Sequence, residues 1–184
     1  MANTVTNVTT GKPKASGAVF RAATTATLPT DASTALDTTA FKALGYVSED
    51  GVTNNNTPET DDIHAWGGDV VLTTQTSKAD EFTFTLIEAL NKDVLGTVYG
   101  DENVTEANGN ITIAANSDVS PEQAYVIDMA MRGNVAKRIV IPCATVKEVG
   151  EIVYKDDEAV GYEITLGAMP DANGNTHYEY IKTA

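Results

Sequence analysis

Residues 66–100, WGGDVVLTTQTSKADEFTFTLIEALNKDVLGTVYG, carry the most legible pattern in the chain. From 70 to 76 the side chains are β-branched, Leu or Gln. From 82 to 86 Phe82, Phe84 and Leu86 alternate with Thr83 and Thr85, the period of a half-buried strand. Residues 77–80 supply a polar break, so the two runs read as a hairpin. Leu90, Val94, Leu95 and Val98 then fall at i, i+4, i+5 and i+8, on one face of a short helix. Asn91 is placed to cap its start and Gly100 to end it. The unit predicted is strand, strand, helix.

Working toward the C-terminus, Asn108-Gly109 is a turn signal before a short strand at 111–114. Ser120-Pro121-Glu122-Gln123 has the form of a capping box, but the residues beyond it alternate with period two, so one helical turn at most is expected. Tyr125, Ile127, Met129 and Met131 form one face of a strand, against Val126, Asp128, Ala130 and Arg132. Gly133-Asn134 turns the chain into 135–142, a second hairpin. A strand at 152–155, a clean alternation at 160–167, a turn at 170–174 and a last strand at 176–182 complete the third. Strands at about 8–12-residue spacing with few helices predict a mainly-β fold, an antiparallel two-sheet β-sandwich or barrel with one short α-helix.

Toward the N-terminus the pattern weakens. Residues 48–64 combine three consecutive asparagines, Pro58 and five acids, and read as a long mobile loop. Residues 1–40 hold eleven Thr and nine Ala and too few apolar side chains for a core of their own. They read as an arm, with a short strand at 17–21 and a turn at 28–31, lying on its own domain or on a neighbouring subunit. The organisation expected is an arm, 1–40, and one domain, 41–184.

The charge balance narrows function. Twelve basic and 26 acidic residues give a formal net charge of −14, and residues 43–77 and 93–131 contain no Lys or Arg. That argues against a grip on nucleic acid built from phosphate contacts. Cys143 is the only cysteine, so no intrachain disulfide can form, and no apolar run approaches the ~20 residues of a spanning helix. The two histidines, His64 and His177, have no partner at metal-ligand spacing. Asp171-Ala172-Asn173-Gly174 misses the register of a calcium loop, and neither a nucleophile elbow nor a phosphate-cradling loop is present. No catalytic residue, metal ligand, cofactor site or membrane segment is expected.

Three runs in order, LPTDASTALDTTAFKALGYVSEDGVT, WGGDVV and FTFTLIEALNKDVLGTVYG, resemble the major tail tube protein of long-tailed bacteriophages, over roughly residues 17–181. Residues 22–27 depart from it, being a bare Ala/Thr run where a Pro or Gly is expected before Leu28-Pro29-Thr30. The resemblance implies a β-sandwich flanked by one helix, whose copies close into six-membered rings stacked as a tube. DNA would pass through the lumen without specific binding, and tape-measure and tail-terminator proteins would be further partners. It implies a virion tail location after synthesis in the bacterial host cytoplasm.

On that reading Tyr46, Val47, Asp50, Gly51, Asn55 and Asp61 belong to a ring-stacking loop that orders on assembly, and Trp66, Gly67 and Gly68 form a hinge at its base with the indole buried. Asp128 and Glu163 are candidate lumen acids, because each lies on the polar side of a strand whose other side is apolar. A glycan-binding or glycan-cleaving β-sandwich using Trp66 and the acidic loops is the competing expectation. Tube formation against saturable sugar binding by a monomer separates the two.

Overall fold

The computed structural model describes residues 3–183. Among them run thirteen strands and one α-helix: β1 (Gly11–Pro13), β2 (Val19–Ala23), β3 (Lys42–Ala43), β4 (Val47–Asn55), β5 (Pro58–His64), β6 (Val70–Lys78), β7 (Glu81–Leu86), α1 (Lys92–Tyr99), β8 (Val104–Ala107), β9 (Asn110–Ile113), β10 (Gln123–Met131), β11 (Val135–Val149), β12 (Tyr162–Ala168) and β13 (Tyr178–Lys182). The architecture is mainly β and antiparallel, a sandwich whose main sheet runs in the order β3-β2-β10-β11-β12-β7-β4, with β1 added to β10 and β13 to β11.

β11 is the strand the two layers share. Its first half pairs with β10 on one side and β13 on the other, and from Ala144 onward it pairs with β12. The ladder slips opposite Pro142 and Cys143, between the pairs Tyr125↔Ile141 and Gln123↔Ala144. A proline cannot donate to the ladder and is tolerated at such a bulge, which bends the strand from one layer into the other. The β10–β11 turn is built on Gly133 and Asn134, both at positive φ (80° and 60°), so the turn expected there is present.

The main core lies between the layers. Phe82, Phe84, Leu86, Tyr162, Ile164 and Leu166 face Val19, Tyr125, Ile127, Ile139 and Ile141, with Val94 and Leu95 of α1 closing one side. Each large apolar side chain buried here contributes about 1.5–3 kcal/mol. The cap on α1 is as expected, Asn91 Oδ1 accepting from the Asp93 amide at 2.9 Å, with Gly100 ending the helix at φ 92°. Leu90 precedes the cap and is exposed, so it does not share the buried face.

A second, smaller core takes in part of the N-terminal segment expected to be an arm on its own domain or on a neighbour. β2 is an inner strand, buried over four of its five residues. On the outer face of β2, β10 and β11, Phe20, Ala22, Val126 and Val140 are covered by Phe41, with Leu28, Leu36 and Ala40 packed alongside. The N-terminal segment therefore lies on its own domain. Arg21 crosses to the helix side, where its guanidinium is bonded to Asp101, with one contact of 2.8 Å, and lies 3.5 Å from Asp93.

Three other expectations change. Residues 70–76 and 82–86 do not pair with each other: β6 pairs with β5, whereas β7 sits between β12 and β4. Residues 48–64 are two strands rather than a loop. Residues 152–155 form no strand, while 120–123 form no helical turn, within the bound of one turn at most.

Candidate functional site

β5 and β6 form a two-stranded sheet of their own that projects from the sandwich, and every residue in both strands is exposed. Ile63 stands opposite Leu72, and Ile63, Val70, Val71 and Leu72 are each at least half exposed. A two-stranded hairpin is at best marginally stable in water, and one carrying a contiguous apolar run is a surface normally covered by a partner. The tip is Ala65-Trp66-Gly67-Gly68-Asp69, closed by the Ala65 amide on the Asp69 carbonyl at 2.8 Å and the Gly68 amide on the Ala65 carbonyl at 3.0 Å. Gly67 and Gly68 take φ of 126° and 100°, conformations that other residues resist. Trp66 is fully exposed, at 108%. In the single chain these residues, expected as a hinge at the base of a loop with the indole buried, are the tip of the hairpin, and the indole stands in solvent because a tight turn leaves nothing beneath it.

The base of the hairpin is held by Asp80, whose side chain is almost wholly buried. It accepts hydrogen bonds from Asn54 Nδ2 at 2.8 Å and from Thr176 Oγ1, and is paired with His177 Nδ1, while the His177 ring meets the Phe82 ring edge-on at 5.3 Å. Asn54 lies one residue before the end of β4, which enters the hairpin, and Asp80 follows β6, which leaves it, so the cluster pins both legs to the β12–β13 connection. Burial alone would raise the Asp80 pKa, but the bonds from Thr176, Asn54 and His177 outweigh it and hold the carboxyl below the usual range. A carboxyl depressed in the folded state stabilises above its unfolded pKa, about 4, and that contribution is lost as pH falls through the folded value. Asp80→Asn should therefore cost about 1–3 kcal/mol at pH 7. In urea unfolding curves the gap to the native chain should narrow below about pH 4. A gap that stays constant down to pH 3 would show that the ionised carboxylate is not what holds the hairpin base.

The residues expected in a stacking loop are dispersed. Val47 and Asn55 are paired with β7, and Gly51, at φ 73°, lies where β4 slips register against that strand. Tyr46 is exposed, its amide bonded to Glu88, and Asp50 is exposed with its carboxylate taking the Ser48 hydroxyl. Of the six, Asp61 alone lies in the projecting hairpin. Ile63, Val70, Leu72 and Asp80 were not singled out from the sequence. Two segments of similar length flanking Trp-Gly-Gly were the available signal.

Asp128 is not a solvent-facing acid. It is 3% exposed and held by Arg138 in a two-point contact, Nε to Oδ1 at 2.6 Å and Nη2 to Oδ2 at 2.7 Å, with Lys14 Nζ at 3.3 Å. The third guanidinium nitrogen, Nη1, donates to the carbonyls of Asp31 and Thr34. The outer face of β10 looked polar because it carries Asp128, yet the 26–41 segment covers it, and the acid is neutralised by its direct cross-strand neighbour. Glu163 differs, lying on the exposed side of β12.

A groove of about 830 Å³ lies between β2, α1 and residues 118–123. Arg21, Lys42 and Lys92 line it with Asp93, Asp101, Glu102, Asp118 and Glu122, and none of its lining residues is a Ser, Thr, Cys or His. Among the described residues no group of three His, Cys, Asp or Glu is arranged to hold a metal ion, and no helix is long and apolar enough to cross a membrane. The feature that sets this molecule apart is the uncovered hairpin.

No curated protein matches the chain by sequence. A family model described as phage tail tube protein matches residues 5–184, nearly the whole length, and a sandwich bearing an unpartnered strand pair suits a subunit made to be covered by copies of itself. The chain belongs to the phage tail tube protein family.

Proposed function

We propose that this chain is a structural, non-enzymatic virion protein whose copies close into rings of six, stacked into a tube that conducts DNA out of the particle at ejection. The observation that carries the reading is the β5–β6 hairpin: sixteen strand residues, none buried, with apolar side chains on a free two-stranded ribbon. Such a ribbon gains its burial from a neighbour, and the hairpin is assigned to the contact between one ring and the next. Asp61 and the Trp66-Gly67-Gly68 tip lie in that contact. Glu163, exposed on β12, is assigned to the lumen, where a carboxylate repels phosphate over the Debye length of about 8–10 Å. Tape-measure and terminator proteins are the expected partners at the tube's axis and end.

The test is direct. Purified chain imaged by negative-stain microscopy should show hollow tubes of uniform diameter with sixfold end views. Trp66 is the only tryptophan. Its emission should move from the red position of a solvated indole in the monomer to the blue on assembly, as the tip is buried. A chain that stays monomeric and binds oligosaccharide saturably would overturn the reading in favour of a glycan-binding module.

A further inference from the structure

Copies that each carry a net charge of −14 repel one another, so close assembly is favoured where unlike charges meet at the contacts. The charge of this chain is sorted along its length. The hairpin carries Glu59, Asp61, Asp62 and Asp69, with Lys78 at the foot of β6 as its one Lys or Arg. Residues 1–30 and 129–147 are the opposite: neither contains a single Asp or Glu.

The fold brings those two acid-free segments together at one end of the sheet. Lys12 of β1 pairs with Ala130 of β10, Ala130 with Ala136 of β11, and Ala136 with Lys182 of β13. Directly paired residues share a face. The four therefore form one row across four strands, two lysines flanking two alanines, about 14 Å from end to end at the usual strand spacing. Arg132 sits in the adjoining turn, its amide donating to Thr9 Oγ1 at 3.1 Å. Lys12, Arg132 and Lys182 are exposed, and among the described residues none of the three is in an ion pair, whereas Lys14, just past β1, and Lys137 and Arg138 on β11 are engaged with Asp128 and Glu179. The alanines leave the middle of the row low, so that a ribbon can approach the backbone there while the lysines reach its carboxylates from both sides.

We propose that this basic end, Lys12, Arg132 and Lys182 around Ala130 and Ala136, is the docking surface for the acidic β5–β6 hairpin of a second copy of the chain. The pairing rests on the tube reading and names the surface that receives the hairpin. Asp61, whose carboxylate has no hydrogen-bond partner among the described residues, and Asp62, which takes only the Thr73 hydroxyl, are the acids best placed to meet it. Duplex DNA is the other polyanion a basic row could take, and the experiment separates the two.

The experiment compares three full-length variants with the native chain: Asp61→Lys with Asp62→Lys; Lys12→Glu with Arg132→Glu and Lys182→Glu; and all five together. Tubes are read as pelletable mass after ultracentrifugation, and folding of the soluble chain by circular dichroism. Each reversed set alone should lower tube yield by about tenfold or more, and the combined variant should return to within about twofold of native, because the reversed charges again attract. Native tube yield from either set alone, or a combined variant no better than the two, would overturn the pairing. So would a Lys12/Arg132/Lys182 variant that forms tubes normally but has lost gel-shift binding to a 30-base-pair duplex, which would assign the row to DNA. If removing the hairpin abolishes tubes while both reversed sets assemble, the pairing fails and the tube reading stands. A native chain that never assembles overturns both.

Discussion

Replacing residues 57–78 by two glycines is expected to leave a folded monomer that forms no tubes. The substitution removes β5 and β6 and leaves Asn56, Gly, Gly, Ala79 and Asp80 as a five-residue loop between Asn55 and Glu81, which are paired across the sheet. A hairpin loop of that length is ordinary. Because every strand residue removed is exposed and none belongs to either core, the loss of folding free energy should be under about 1 kcal/mol. The bond from Asn54 to Asp80 and the Asp80 contacts with Thr176 and His177 stay in place. Thermal melting should thus be nearly unchanged while pelletable tubes fall to background. Normal tubes from this deletion would remove the hairpin from the assembly contact. A melting point lower by more than about 10 °C would show instead that the hairpin is part of the fold.

The largest stability effect is expected at Asp128. Asp128→Ala should cost about 3–5 kcal/mol, because it strands the Arg138 guanidinium, 2% exposed, beneath the 26–41 segment without its counter-charge. Part of the loss lies beyond the pair itself. Arg138 Nη1 holds the Asp31 and Thr34 carbonyls, and Lys14 joins Asp128 to the Ala32 carbonyl, so a displaced guanidinium loosens the cover over Val126 and Val140 as well. Joint replacement, Asp128→Leu with Arg138→Met, should recover a substantial part of the loss, since an apolar pair of similar volume needs no neutralisation. Chemical unfolding of the three chains measures this. An Asp128→Ala cost below about 1 kcal/mol would mean that the carboxylate is not the partner on which Arg138 depends.

The Asp128 result marks a general boundary. The alternation along 125–131 correctly separates two faces of β10, but alternation reports only the difference between faces, not what covers each one. The answer was partly within reach. Counting back from the turn at Gly133-Asn134 places Arg138 directly opposite Asp128, and an acid facing a base across a ladder signals a paired, coverable position. The cover itself comes from residues more than eighty positions earlier, held by two carbonyls that no pattern of side chains records.

The hairpin shows the same boundary from the other side. The strand character of 70–76 and of 82–86 was legible because β-branched and aromatic residues fit a pleated surface in either setting. Their pairing was not. Two consecutive strands separated by a short polar break read as a hairpin, yet Ala79-Asp80 is a junction where the chain leaves one sheet for another, pinned by Asn54 and His177 from distant segments. Likewise 58–64, acidic and asparagine-flanked, reads as a loop until β6 lies beside it, because the stabilising partner of an exposed strand is backbone rather than side chain.

Local chemistry therefore settles the turns at Asn108-Gly109 and Gly133-Asn134, where α1 is capped and the half-buried alternation of β7, since each depends on the φ preferences and periodicity of residues close in sequence. The order of the strands, the sharing of β11 between two layers, the burial of Asp128 and the exposure of Trp66 depend on which distant backbones meet. Those meetings were decided by burial of the two cores, a free energy that belongs to the assembled surfaces and to no single stretch of residues.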